Sequence, residues 1–481
     1  MKTPFWFALV AAGAVGGSPA TAEPVRLVTL DPGHFHAALF QKEMLPGVDS
    51  RVHVYAPLGP DLLAHLGRVH GFNSRAERPT QWQLEVHAGG DSLQRLLAER
   101  PGNVVVVSGN NQGKIARLEA LVGAGFHLLA DKPWIIEPEE LPALARTLEL
   151  ARAKRVAAWD AMTQRYEISC LLQKALVADA AVFGTPLPGT EQEPAVYMES
   201  VHFLKKEVAG APLLRPAWFF DPRQQGEPLA DVGTHLVDLV QWTLSPERAV
   251  DDRTDLAVRY GRRDLLVISP AQFRAVTGLA EFPAALRDQV RDGHLHYVAS
   301  NTVGYTLRGV HVKLDVIWRF EAPAGGKDTE LAVFRGSRAR VEVRQGRAEN
   351  FVPEVYVVAN RAADTAGVAE ALRKRVAALA STWPGLAVAA ESGGLRVVIP
   401  AALRESHEAH FALLVRQFLA YQQDPGRMPA WETPYMLAKY RVTTEGVRLG
   451  RLAANSPSNH ESSNLPPGGD ALRRRDDAAG R

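Results

Sequence analysis

Two short stretches carry side chains whose types and spacing could do chemistry. In Ala130-Asp-Lys-Pro-Trp134 a lysine closes a short apolar run and precedes a proline. The run reads as a strand, so Lys132 projects from a strand end, and Pro133 biases its backbone toward an extended conformation. An amine in that place can hydrogen-bond a reacting hydroxyl and exchange a proton with it. The second stretch, Gly226-Glu-Pro-Leu-Ala-Asp-Val-Gly-Thr-His-Leu-Val-Asp238, holds Asp231 and His235 four residues apart. On a helix these positions share a face, so both can address one substrate. Imidazole exchanges a proton near neutral pH, and the carboxylate can orient it or bind a second hydroxyl. Gly233 leaves space beside that face, and Asp238 is within sequence reach of His235. The plainer alternatives are a surface turn at Lys132, and a helix cap at Asp231 beside a satisfied core histidine.

A second group of residues has the placement of a nucleotide site. The first apolar run ends in Leu30-Asp-Pro-Gly-His-Phe-His-Ala37. A G-x-G-x-x-G fingerprint would need glycine at 31, 33 and 36, and only Gly33 is present. Gly33, His34 and Phe35 are the candidate cofactor loop. Ser108-Gly-Asn-Asn111 follows a later strand and would put Ser108, Asn110 and Asn111 beside a nicotinamide, near Asp131 and Lys132. The acidic residue expected after the second strand is missing at Tyr55-Ala-Pro57, with Asp61 a poor substitute, so NAD and NADP are not told apart. Candidate substrate contacts are Arg165, Tyr166, His202, Trp218 and Asp231. His407-Glu-Ala-His410 has helical i,i+3 spacing but no third ligand in view, so no metal site is assigned.

The elements that must position these residues fall into two halves. From Val25 to Tyr166, strands at 26–30, 51–55, 84–87, 103–108, 126–130 and 155–159 alternate with helical segments such as 113–123 and 139–153. That alternation predicts parallel βαβ units and a doubly wound sheet of the Rossmann type. From 167 to 453 longer, alternating strands cluster at 193–204, 296–304, 311–320, 329–334 and 338–343. They predict an α+β domain with an open, mostly antiparallel sheet covered on one face. Helices are expected at 229–242, 407–422 and, within an insertion near 350–400, at 362–379.

Whole-chain properties narrow the classes. The 481 residues are 46% apolar with a net charge of +2, which gives no footprint for nucleic acid. Residues 1–22 run from Lys2 through an apolar stretch to Ala20-Thr21-Ala22, the order of a cleaved export signal and too short a run for a spanning helix. The expected product is an exported protein, periplasmic or secreted, with no membrane insertion after signal removal. Cys170 is the one cysteine, so no intrachain disulfide forms. The stretch 454–481, rich in Ser, Asn, Pro, Gly and charge, is expected to be a disordered tail.

Taken together, the motifs resemble those of the Gfo/Idh/MocA oxidoreductases. Asp131-Lys132-Pro133 is similar to that family's Glu-Lys-Pro. Gln225-Gly226-Glu227, with Asp231 and His235, is similar to its Gly-Gly-Gly-x-x-x-Asp-x-x-x-His with the middle glycine kept. Leu30-Asp-Pro-Gly-His-Phe-His-Ala-Ala38, Asn73-Ser-Arg75 and Arg215-Pro-Ala-Trp-Phe-Phe-Asp221 resemble a secreted subgroup with a C-terminal extension. The resemblance implies a bound NAD or NADP, catalytic Lys132 and His235 with Asp231 as orienting partner, a carbohydrate substrate and a possible homo-oligomer. It also leaves open glycoside cleavage by transient ring oxidation, and a cofactor-free carbohydrate-binding or scaffold protein on the same fold.

Overall fold

The computed structural model describes residues 24–208 and 211–455. Residues 1–22, read above as an export signal, and the expected tail beyond 455 lie outside the described residues. The chain begins with β1 (Val25–Leu30), β2 (Val48–Ala56), β3 (Gln83–Ala88), β4 (Val104–Val107), β5 (His127–Ala130) and β6 (Ala158–Asp160). They form one sheet in the order β3-β2-β1-β4-β5-β6, and every pairing is parallel. The four valines of β4 are all buried, as a central strand covered on both faces requires. Helices Pro60–Ser74, Ser92–Glu99, Lys114–Gly123 and Leu141–Lys154 supply the crossovers. Strand order reverses between β1 and β4, so the crevice where such sheets bind ligands opens outside the carboxyl ends of β1, β4 and β5. These are the ends that carry Gly33, Ser108 and Lys132.

The second sheet has ten strands and is built around β7 (Val196–Lys205). β7 pairs in parallel with Val310–Glu321 and antiparallel with Thr329–Arg335; the other pairings are antiparallel. The insertion near 350–400 extends this sheet with Glu354–Ala359, Gly394–Val398 and Ala387–Glu391, and its helix Thr365–Leu379 buries Val368, Leu372 and Val376. Two elements go beyond the sequence reading. Strand Leu256–Ile268 was not anticipated, because its Arg-rich run hides the alternation. Helix Glu432–Ala454 follows the last helix expected, at 407–422. The two pack together backbone to backbone: a Cβ on Gly261 would strike the Gly446 carbonyl.

Two hydrophobic cores result. One joins the second sheet to its helices. The other fills the first domain and recruits Phe411, Leu414 and Phe418 from helix His407–Gln423, with Met436 and Tyr440 from the last helix. The chain therefore returns to its first domain after building the second. Among the described residues no helix is long and apolar enough to cross a membrane.

Candidate active site

Lys132 leaves the end of β5 and crosses the crevice to the second domain. Its Nζ donates to Asp231 Oδ1 at 2.5 Å and to the Asp231 carbonyl at 2.9 Å. Asp231 closes the short helix Pro228–Asp231, and His235 sits in the first turn of the next helix, Gly233–Leu244. The helix is therefore interrupted at Val232 between the two residues. The space beside Gly233 is taken by Leu229, so that glycine serves packing and leaves no room for substrate. Burial would push the Asp231 carboxyl up, but the Lys132 ammonium outweighs it and holds the group below the usual carboxylate range. Burial drives His235 well below its ordinary value, and Lys132 adds to the effect, so the imidazole is neutral. Its Nδ1 is buried without a partner.

A denser cluster surrounds Asp131. Its carboxylate meets His34 Nδ1 at 2.8 Å, His36 Nδ1 at 3.1 Å from each oxygen, the Ser108 hydroxyl at 2.9 Å and the Lys132 amide at 2.9 Å. Burial would raise this carboxyl, but His36 and His34 hold it well below the usual range. The His36 ring stacks on His407 of the second half at 5.1 Å, and burial lowers His36 to about 4. Beneath the turn Lys114 is fully buried and donates to Asn111 Oδ1 and to the carbonyls of Asp131 and Pro133. Burial lowers its pKa to about 7.

The sequence-predicted residues divide by what they touch. Lys132, Asp231, Asp131, His34 and Ser108 come together in the crevice. Asn110 and Asn111 are also there, but they bind across it: Asn110 Nδ2 donates to Gln224 Oε1 at 2.6 Å and Asn111 Nδ2 to the Gln225 carbonyl at 2.9 Å. Phe35 is exposed between the His34 and His36 rings. Arg165 does not face substrate. It is buried in a double hydrogen bond to Asp238, at 2.6 and 2.7 Å, and a third to Glu432 at 2.7 Å. Asp238 is thereby committed to Arg165 and forms no hydrogen bond with His235. Tyr166 packs against the first core. His202 is held between Ser200 Oγ and Asp328, yet lies close enough to help lower Asp231. Trp218 neither stacks in an open sugar site nor sits in the core. Its Nε1 donates to Asp61 Oδ2 at 2.9 Å, and its ring lies over Gly33.

That last contact bears on cofactor fit. At the nicotinamide end, Lys132 and Ser108 stand at the ends of β5 and β4, paired with Asp231 and Asp131, while Asn111 is spent on Gln225 and Lys114. At the diphosphate end, the space beside Gly33 is taken by the chain's own groups. A Cβ placed on Gly33 would meet the Asp61 carboxylate, Gly109 and the Trp218 ring at 2.9–3.2 Å. A second carboxylate, Asp31, is also present, and burial raises its pKa. Two residues of the site were missed by spacing alone. Lys114 reads as an ordinary helix lysine, and His407 reaches the crevice only through the chain's return.

Beside this cluster lies a cavity of about 170 Å³. Its wall includes Leu236 and Leu239 from the helix of His235, and Glu199, Glu330, Gln164 and His407. Cys170 lines it too; the thiol is pushed up well above its ordinary value by burial.

Residues 172–451 match the family described as "Putative oxidoreductase C terminal domain". A structure described as a "putative oxidoreductase" from Parabacteroides merdae is 41% identical, with a TM-score of 0.87, covering 90% of this chain and 98% of that one. GenD2 from gentamicin A biosynthesis, in complex with NAD, is 15% identical at TM-score 0.52, covering 91% and 97%. A 3-ketoreductase from Actinomadura kijaniata, in complex with NADP and TDP-benzene, is 14% identical at TM-score 0.54, covering 89% and 98%. The last two share the two-domain fold. Among curated proteins none matches the chain.

Proposed function

The chain belongs to the oxidoreductase family defined by that C-terminal domain, and from this premise we propose that it is an NAD(P)-dependent oxidoreductase of a sugar-like, polyhydroxylated small molecule. The observation that carries the reading is the Lys132–Asp231 pair, which joins the end of β5 to the second domain across the switch-point crevice. The nicotinamide would supply the acceptor or donor of hydride at a carbinol carbon. Lys132 holds the substrate oxygen and stabilises its negative charge. His235, kept neutral and with an unpartnered Nδ1, takes the hydroxyl proton. Asp231 orients Lys132 and binds a neighbouring hydroxyl. The adjoining cavity sets carboxyl, amide and imidazole groups among a largely apolar wall, where they can meet a polyol's hydroxyls. The proposal includes export, on the basic, apolar and small-residue order of residues 1–22.

The test is direct. Purified protein is denatured and released nucleotide identified by mass, and a panel of sugars, polyols and glycosides is screened by nicotinamide absorbance. Retained or titratable NAD(P), with turnover of a carbinol substrate, supports the proposal. A second reading, a carbohydrate-binding protein without dinucleotide, draws on Trp218 and Asp61 lying over Gly33. Sugar binding by calorimetry with no NAD(P) binding would establish that reading and overturn the first.

A further inference from the structure

Where the fingerprint of a dinucleotide fold would have glycine at 36, this chain has a histidine whose ring reaches across the end of β4 to the carboxylate closing β5. The consequence is a set of three ligand-type atoms from two strand ends: His34 Nδ1, His36 Nδ1 and an Asp131 oxygen, all within 4.8 Å of one another. We propose that His34, His36 and Asp131 form a binding site for one divalent transition-metal ion of the zinc or cobalt type, the remaining positions being filled by water or a substrate oxygen. The site goes beyond the oxidoreductase reading and does not depend on it.

Four observations support it. Two imidazoles and one carboxylate are a donor set that such ions favour, and three protein ligands leave open positions. The spacing is close: ligand atoms about 2.1 Å from an ion in a tetrahedral array lie about 3.4 Å apart, so the 2.8 Å His34–Asp131 and 3.1 Å His36–Asp131 contacts open by roughly 0.3–0.6 Å when an ion replaces the hydrogen bonds. Hydrogen bonds already occupy this carboxylate, but Oδ2 is crowded. His36 Nδ1 is 3.1 Å from both carboxylate oxygens, so one N–H cannot be aimed well at either, and Oδ2 is also approached by His34 and by the Ser108 hydroxyl. Lastly, the charges nearby are already balanced. Lys132 is paired with Asp231, so Asp131 has no cationic side chain of its own beyond the two imidazoles. Of Asp131, Lys114 touches only the backbone carbonyl. His36 and Asp131 are buried, while His34 is about one-third exposed, which gives an ion a way in.

A second group on the β2–β3 surface, His53, Glu85 and His87, provides an internal control. There Arg95 donates to His87 Nδ1 and Arg51 pairs with Glu85, so cations already hold the ligands.

The experiment uses the full chain, stripped with chelator and then dialysed against Zn²⁺ or Co²⁺ at neutral pH. Metal per chain is measured by elemental mass spectrometry, and the cobalt form is scanned for visible d–d bands. Close to one equivalent, with those bands and a raised Tm, is expected. His34→Ala, at the most exposed ligand, should lower retained metal at least tenfold while circular dichroism and the metal-free Tm stay as in the parent. His87→Ala should change nothing. Folded protein that retains less than a tenth of an equivalent would overturn the proposal and leave the cluster as a hydrogen-bonded triad. Metal lost in His87→Ala but kept in His34→Ala would overturn it in favour of the surface group.

Discussion

Two buried charge clusters join the domains, and they are built differently. In one, Arg165 spends all three of its nitrogens on Asp238 and Glu432, while Lys439 holds Asp160 and Asp238 and the Tyr440 hydroxyl donates to Asp160. In the other, Lys132 pairs with Asp231 beside a neutral His235 whose Nδ1 has no partner, and beside two histidines sharing one carboxylate. The first cluster spends its cations on its own carboxylates, with Glu432 Oε2 left without a partner, and so fixes domain geometry. The second holds donors and acceptors in place with capacity left over, which is what a site for a ligand requires. Buried charge alone does not mark function; unspent valence beside an opening does.

The comparison can be broken most severely at Arg165. Arg165→Met should destabilise the fold by about 3–5 kcal/mol, because Glu432 is left buried and uncompensated and Asp238 keeps only Lys439 at 3.4 Å; urea denaturation measures it. A variant as stable as the parent would remove the distinction. Lys132→Met should act chiefly on turnover, lowering kcat/KM by about 10²–10⁴-fold, with a smaller loss of Tm than Arg165→Met because this pair is less deeply buried. Unchanged turnover would sink the assignment of the crevice.

Acid should sharpen the contrast by a third route. Burial lowers His65 and His410 to about 4, and both His65 ring nitrogens lack partners. These folded-state values lie below the unfolded 6.5, so between those limits the unfolded chain binds more protons. Stability is then fully present above about pH 6.5 and is lost as pH falls toward 4, by up to about 1.4 kcal/mol per pH unit for each histidine. Chemical denaturation at pH 7 and pH 5 reads this, and equal stability would show that these rings are solvated. The smallest effect is expected at Trp218. Trp218→Ala uncovers Gly33 and should raise NAD(P)H affinity several-fold in a fluorescence titration. A fall would instead place the ring among the cofactor's own contacts.

Much of this was legible beforehand. The parallel sheet follows from buried β-branched runs such as Val104–Val107 alternating with helices, and Lys132 and Asp231 stand out because each follows a local signal of strand end or helix start. What was misread depends on neighbours distant in sequence. Arg165 looked like a substrate contact because it follows β6, but Asp238 and Glu432 arrive from 73 and 267 residues away. Trp218 looked like a substrate contact, and 157 residues separate it from the Asp61 that fixes it. Strand Leu256–Ile268 was hidden because its charged positions mask the alternation that packing on the last helix makes meaningful.

The order of residues along the chain determined, by itself, the two sheet types, the strand ends and the chemical kinds of side chain placed there, since periodicity and turn chemistry act over a few residues. Only the tertiary structure decided which of those side chains are spent on one another and which stay available. Partner choice among charges and imidazoles is a matter of ångström distances and of burial, and both arise when segments hundreds of residues apart pack against a common core.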